Sequence, residues 1–193
     1  MQQATVQLGK LGVQSIVNSM GVFVSAAFAA VNRIDDFAYI PQQNIAHAMT
    51  ALMAQNKGAK KTDRIKAAFR CGMKIELIYG IFIFFVCFFL AHPLMQLFSS
   101  DPVVCKHGVT YLKLISLMYL FPAVTNGVQG YFRGIGDLKI TLISSFVNMS
   151  VRVIFAAILV FHFSLQIEAL PFSYLAGWIG MLVAEIPLLL KKL

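Results

Sequence analysis

The sequence predicts an all-α fold, a polytopic integral membrane helical bundle with room for about six transmembrane helices, as a single unit over residues 1–193. Three observations carry this. Apolar residues make up 59% of the chain and charged residues 12%, about half the roughly 25% that soluble domains use, and the mean hydropathy is +0.75. Runs free of Asp, Glu, Lys and Arg occupy Leu11–Asn32, Phe37–Asn56, Leu77–Ser100 and Leu114–Phe132, each able to cross a hydrocarbon core about 30 Å thick as a helix. Ile140–Ile167 and Ala169–Leu190 are comparable, each interrupted by one charge, Arg152 or Glu185. The period-two alternation of a β-barrel is absent, and in lipid a helix satisfies its own backbone.

The elements follow in order. A first helix is expected over residues 3–20 and a second over 22–55, divided at Gly21, where a tight turn splits an otherwise continuous stretch. At 1.5 Å per residue the second would be about 50 Å long, so it must tilt or project into water. The third is placed at 66–92, the fourth at 104–132, the fifth at 138–163 and the sixth at 168–190. Pro41 and Pro122 fall inside the second and fourth, where each removes a backbone bond and exposes the carbonyl of Phe37 or Met118. Gly130-Tyr131-Phe132-Arg133-Gly134 forms a GxxxG, but at a helix end it is weak evidence for packing. Asn148-Met149-Ser150 matches a glycosylation pattern and is set aside because it lies within a span.

Sixteen Lys and Arg stand against eight acids, a formal charge of +8. On a soluble chain this would suggest nucleic acid, but the basic residues crowd into short stretches, so no nucleic-acid partner is expected. Segment 57–76 holds Lys57, Lys60, Lys61, Arg64, Lys66, Arg70 and Lys74 against Asp63 and Glu76. Two spans later come Arg133 and Lys139, and two spans after that Lys191 and Lys192. Parity puts the basic loop 57–74 and the C-terminus on one side, expected to be the cytoplasmic side of a bacterial inner membrane. The intervening loops 91–105 and 161–171 carry almost no positive charge and are expected outside. No signal-peptide pattern opens the chain. Cys71, Cys87 and Cys105 lack CxxC or CxxH spacing and read as apolar filler. No phosphate loop, paired-carboxylate site, Ser–His–Asp set or metal cluster appears, so no enzyme, cofactor or metal site is expected.

Polar residues instead form stripes on the helices. At helical periodicity, Gln3, Gln7, Lys10, Gln14 and Asn18 share one face of the first helix, and Asn32, Asp36, Gln43, His47 and Thr50 one face of the second. Asn126, Gln129 and Arg133 align with Pro122 on the fourth, and Thr141, Ser145, Asn148 and Arg152 align on the fifth. The third and sixth are nearly apolar all round, apart from Glu76 and Glu185. Such stripes either make interhelical hydrogen bonds, worth about 0.6–2 kcal/mol each, or line a water- or ligand-filled cleft, and four on one bundle favour the cleft. Arg33, Asp35, Asp36 and Arg152 lie within spans, where charges must pair or face a cavity, and Arg33 and Asp36, three apart, are expected to pair. The candidate substrate or cation contacts are Asp36, Gln43, His47, Gln14, Asn18, Asn126, Gln129 and Asn148.

Asn32-Arg33-Ile34-Asp35, Phe37-Ala38-Tyr39-Ile40-Pro41 and Ala54-Gln55-Asn56-Lys57-Gly58-Ala59 together resemble the eighth-helix region of the multidrug and toxic compound extrusion (MATE) family. Arg133-Gly134-Ile135-Gly136-Asp137 is similar to that family's loop after the tenth helix. The order of the motifs and the six-span plan agree, so the resemblance covers essentially the whole chain as the C-terminal six-helix lobe of a twelve-helix transporter. It implies a central cleft between two lobes, alternating access, and export of cationic or amphipathic compounds against proton or sodium flow. The partners implied are the lipid bilayer, small cationic or amphipathic substrates, and either an N-terminal six-helix lobe or a second copy. The chain departs by starting within the seventh helix of that plan, so it is expected to be a fragment or half-transporter. It also departs by lacking the acids that some members carry in the seventh and tenth helices, which points to an aspartate in the other lobe for coupling. The alternatives are a lipid-linked oligosaccharide flippase of the wider superfamily, expected to have a more cationic cleft, and a non-transporting membrane interaction or assembly protein.

Overall fold

The structure is a computed structural model that describes residues 2–192, with side chains from Thr5 onward. Among the described residues there are eight helices and no strand: α1 (Gln2–Ser19), α2 (Val22–Gly58), α3 (Thr62–Phe89), α4 (Ala91–Gln96), α5 (Pro102–Ser116), α6 (Leu120–Gly134), α7 (Leu138–Phe161) and α8 (Ala169–Lys192). Gly21 has a φ of 100°, a conformation that only glycine adopts freely, and it separates α1 from α2 as expected. After that turn α1 packs mainly on α7, whereas α2 packs on α3, α5 and α6.

Local chemistry sets the other boundaries. Pro93 lies in the first turn of α4, where its missing N–H is tolerated, so the chain restarts after Leu90 instead of extending α3. Asp101 caps α5, its carboxylate accepting from Val103 N at 2.7 Å and Val104 N at 3.3 Å, and Pro102 follows at the first helical position. Gly136, with a φ of 78°, ends the turn after α6. The helix predicted over 104–132 is in fact two, α5 and α6, bent by 52° across residues 117–119. The break falls just before Pro122, whose ring cannot sit above a helical carbonyl four residues earlier. Pro41, by contrast, lies inside an unbroken α2.

By length and composition α3, α7 and α8 can each cross a membrane, and α5 with α6 can do so as one bent span. Their outer faces carry exposed Ile78, Phe82, Phe85 and Phe89 on α3, Phe146 and Ile154 on α7, and Val183 on α8. Two apolar clusters lie inside. One gathers Val17, Phe28, Val31, Tyr111, Leu112, Ile115 and Trp178. The other gathers Met49, Met53, Ile65, Phe69, Tyr131, Phe132 and Leu189.

The GxxxG carries more than its position promised. A Cβ at Gly130 would lie 2.9 Å from the Ala46 carbonyl oxygen, and one at Gly134 would lie 2.8 Å from Met53 Cβ and 3.1 Å from the Thr50 carbonyl oxygen. The two glycines therefore let the α6 and α2 backbones touch, and Thr50 Oγ1 donates across that seam to the Gly130 carbonyl at 3.1 Å. The three basic stretches converge at this end of the bundle. The Lys57 ammonium donates to the Ile135 carbonyl and Lys192 pairs with Asp137, and the bond from Lys192 holds the Asp137 carboxyl below its ordinary range.

Candidate functional site

The polar stripes of four helices meet in one open cleft of about 430 Å³. From α1 come Lys10 and Gln14. Gln14 Nε2 donates to Asn18 Oδ1 at 2.8 Å, and Asn18, exposed one turn along, is not itself a wall of the cleft. Gln7 is exposed and also off the wall, and the side chain of Gln3 lies outside the described residues. From α2 come Asn32, Asp35, Asp36, Tyr39, Gln43 and His47. From α6 and α7 come Asn126, Gln129, Arg133, Ser145, Asn148 and Arg152.

Hydrogen bonds across the helices fix several of these groups. Tyr39 Oη donates to Asn126 Oδ1 at 3.2 Å, and Gln129 Nε2 donates to Ser145 Oγ at 3.2 Å. Asn148 Nδ2 lies 3.2 Å from Met181 Sδ, and Met181 is itself a cleft residue on α8. One layer behind, Glu185 of α8 is fully buried and accepts from Ser144 Oγ at 2.5 Å. Glu76 of α3 is also fully buried, outside the cleft wall.

Two sequence expectations need correction. Arg33 and Asp36 do not pair, since the only ion pair within 4 Å among the described residues joins Lys192 and Asp137. Both are exposed, and Asp36 lines the cleft while Arg33 does not. An exposed helical pair gains too little from contact to fix two long side chains. Arg133 does not belong to a loop. It occupies the last turn of α6 and faces the cleft, leaving Gly136 and Asp137 to make the turn. The nearly apolar sixth span also reaches the cleft, where Tyr174 and Trp178, one turn apart on α8, line it with Met181.

Asp35, a charge within a span, meets the expectation by facing the cleft, although it is not among the named candidate contacts. It sits on the half-buried side of α2 and lines the cleft, and the Tyr119 hydroxyl donates to it. Its periodicity groups it with buried Val31, Ala38 and Gln42, so helical spacing alone marks it as a misfit in a buried face. The signal available was that an acid on an apolar face needs a donor. Arg152 meets the expectation that it would face a cavity. Its guanidinium carbon lies 3.8 Å from the Tyr174 ring centroid and 5.6 Å from that of Trp178. Among the described residues no group of three or more His, Cys, Asp and Glu could hold a metal ion.

The sequence model of the MatE family matches residues 1–158. The chain belongs to the MatE family. A probable multidrug resistance protein NorM of Thermotoga maritima is 24% identical over 175 residues, covering 89% of this chain and 36% of that protein. A probable multidrug resistance protein YoeA of Bacillus subtilis is 27% identical over 176 residues, covering 91% of this chain and 36% of that protein. An outward-facing multidrug resistance MATE family transporter of the MOP superfamily superposes with a TM-score of 0.92 at 14% identity, over 99% of this chain and 43% of that one. The chain thus spans little more than a third of the length of these two sequence relatives. Among MatE proteins it is an integral membrane helical bundle, and its cleft is walled by the polar faces of that bundle.

Proposed function

We propose that this chain works as the C-terminal lobe, or an equivalent half, of a MatE-type efflux transporter. In this reading the chain crosses the membrane six times, through α1, α2, α3, α5 with α6 as one bent crossing, α7 and α8. The basic end formed by 57–74, the 133–139 turn and Lys191-Lys192 lies in the cytoplasm. The observation that carries the reading is the convergence of four polar stripes on a single open cleft, where costly in-membrane polar groups face a shared space besides bonding to one another. Amphipathic or cationic compounds would leave through that space by alternating access, exchanged for protons or sodium. Asp36, Gln43 and His47 offer exposed polar contacts on one wall, with Gln14, Asn126, Gln129 and Asn148 around them.

The test joins the chain to the N-terminal six-helix lobe of a MatE relative in cells lacking their own exporters and follows ethidium efflux. Efflux by the joined protein, weakened by Asp36→Asn, is the expected result. Efflux by the chain alone would assign it a two-copy transporter of equivalent lobes. Silence from both, with good membrane expression, would overturn the exporter reading in favour of the flippase or a non-transporting assembly role.

A further inference from the structure

The cleft holds more positive than negative charge, and none of its cations is directly ion-paired with a carboxylate. Lys10, Arg133 and Arg152 face Asp35 and Asp36, yet no carboxylate of the cleft lies within 4 Å of a cationic nitrogen. Asp35 already accepts the Tyr119 hydroxyl. Arg152 is the cation that burial singles out. It is 8% exposed, and its Nε is shut away from solvent without a hydrogen-bond partner. Desolvating a guanidinium is costly unless its protons find acceptors.

The rings beside it do not supply them. Tyr174 and Trp178 attract the charge through their faces, which leaves the N–H groups unused. A guanidinium with free N–H groups matches the two oxygens of a carboxylate or phosphate in fork geometry. Trp178 and Met181 offer an apolar and aromatic wall next to it, to which a flat ring carrying that oxyanion can stack. A protonated amine of the same size would instead meet the guanidinium as a like charge.

We infer that Arg152, framed by Tyr174 and Trp178, is a receptor for the acidic group of a flat aromatic compound, so that this wall of the cleft selects aromatic acids over aromatic amines. The inference rests on the cleft being a substrate path and names the chemistry of one part of it. Asp36 and Gln43 on the opposite helix remain available for a cationic end, so a zwitterion with an aromatic ring uses both walls.

Trp178 is the single tryptophan of the chain, so its emission reports directly from this site. The purified chain in lipid nanodiscs is titrated with 4-bromobenzoate and with 4-bromobenzylamine, whose bromine quenches a tryptophan on contact. Saturable quenching by the acid at a Kd about tenfold or more below that of the amine is expected. Arg152→Gln should raise the Kd of the acid by a similar factor, with Arg152→Lys recovering part of the loss. Equal quenching by acid and amine in the unmodified chain would overturn the inference, and that comparison needs no variant to fold. So would acid affinity surviving in a folded Arg152→Gln protein, or inorganic phosphate competing as well as the aromatic acid. Failure of both ethidium and a fluorescent aromatic acid to leave the cells, with the acid preference intact, would sink the transport reading alone. Efflux without the preference would sink this inference alone.

Discussion

Helices α3 and α6 lie against each other and are surrounded in opposite ways. α3 turns Ile75, Ile78, Ile81, Phe82, Phe85 and Phe89 outward and buries Gly72, Glu76 and Gly80. α6 buries nearly its whole surface, including Asn126, Gln129, Gly127 and Gly130. In water the apolar helix would be the one inside. In lipid, apolar side chains gain nothing from leaving the solvent, so what packs inward is small or polar. The contrast teaches that in this chain small and polar residues share the interior with apolar clusters, while from Ile75 onward the rim of α3 is bulky and apolar.

The largest effect should come from reversing that assignment on the rim. Ile78→Arg places a charge on the exposed face of α3, at an insertion cost of about 2.5–3.5 kcal/mol near mid-span. Gln43→Arg adds the same charge to the cleft, where water can reach it. Membrane-fraction yield should fall sharply for the first and little for the second, and equal yields would remove the distinction between rim and cleft.

Smaller effects should separate glycines that look alike in sequence. Gly130→Ala drives a Cβ to 2.9 Å from the Ala46 carbonyl oxygen, a backbone atom that cannot swing aside, and should cost about 1–3 kcal/mol. Gly180→Ala meets Val147 and Val151 side chains only at 3.5 Å, an ordinary contact, and gains helix propensity of about 0.5–1 kcal/mol. Thermal unfolding in detergent should therefore move down for one and level or up for the other, and a matching shift in both would dissolve the α2–α6 seam as a special contact.

The smallest effect belongs to the basic end. The Lys192 bond holds the Asp137 carboxyl below its ordinary value of 3.8, so its contribution is present above that pH and is lost as pH falls through the lowered value. Unfolding midpoints of the unmodified chain and Asp137→Asn should differ slightly at neutral pH and converge in acid. A difference that persists or widens in acid would place the effect elsewhere.

The helical class, the turn at Gly21 and the four polar stripes were legible because period and hydropathy record them directly. Gln43, His47, Gln129 and Asn148 therefore reached the cleft as their faces indicated. What stayed hidden depended on partners far along the chain. The Tyr119 hydroxyl that Asp35 accepts and the closeness of the Ala46 carbonyl to Gly130 leave no local trace. Tyr174 and Trp178 were readable as a pair one turn apart, but on a largely apolar helix nothing in their spacing told a lipid-facing pair from a cleft wall. Arg33 and Asp36 show the reverse error, a spacing that permits a contact without requiring it.

The bend between α5 and α6 has a mechanical meaning. A straight helix can roll about its own axis and carry any of its faces to a neighbour. Two arms set at 52° form a crank, and turning either arm sweeps the other sideways through whatever flanks it. Here one arm ends in the tightly filled layer of Tyr111, Leu112 and Ile115, each 0% exposed, while the other is seated glycine-to-backbone on α2. The crank is thereby locked in phase, and Asn126, Gln129 and Arg133 keep one fixed azimuth toward the cleft.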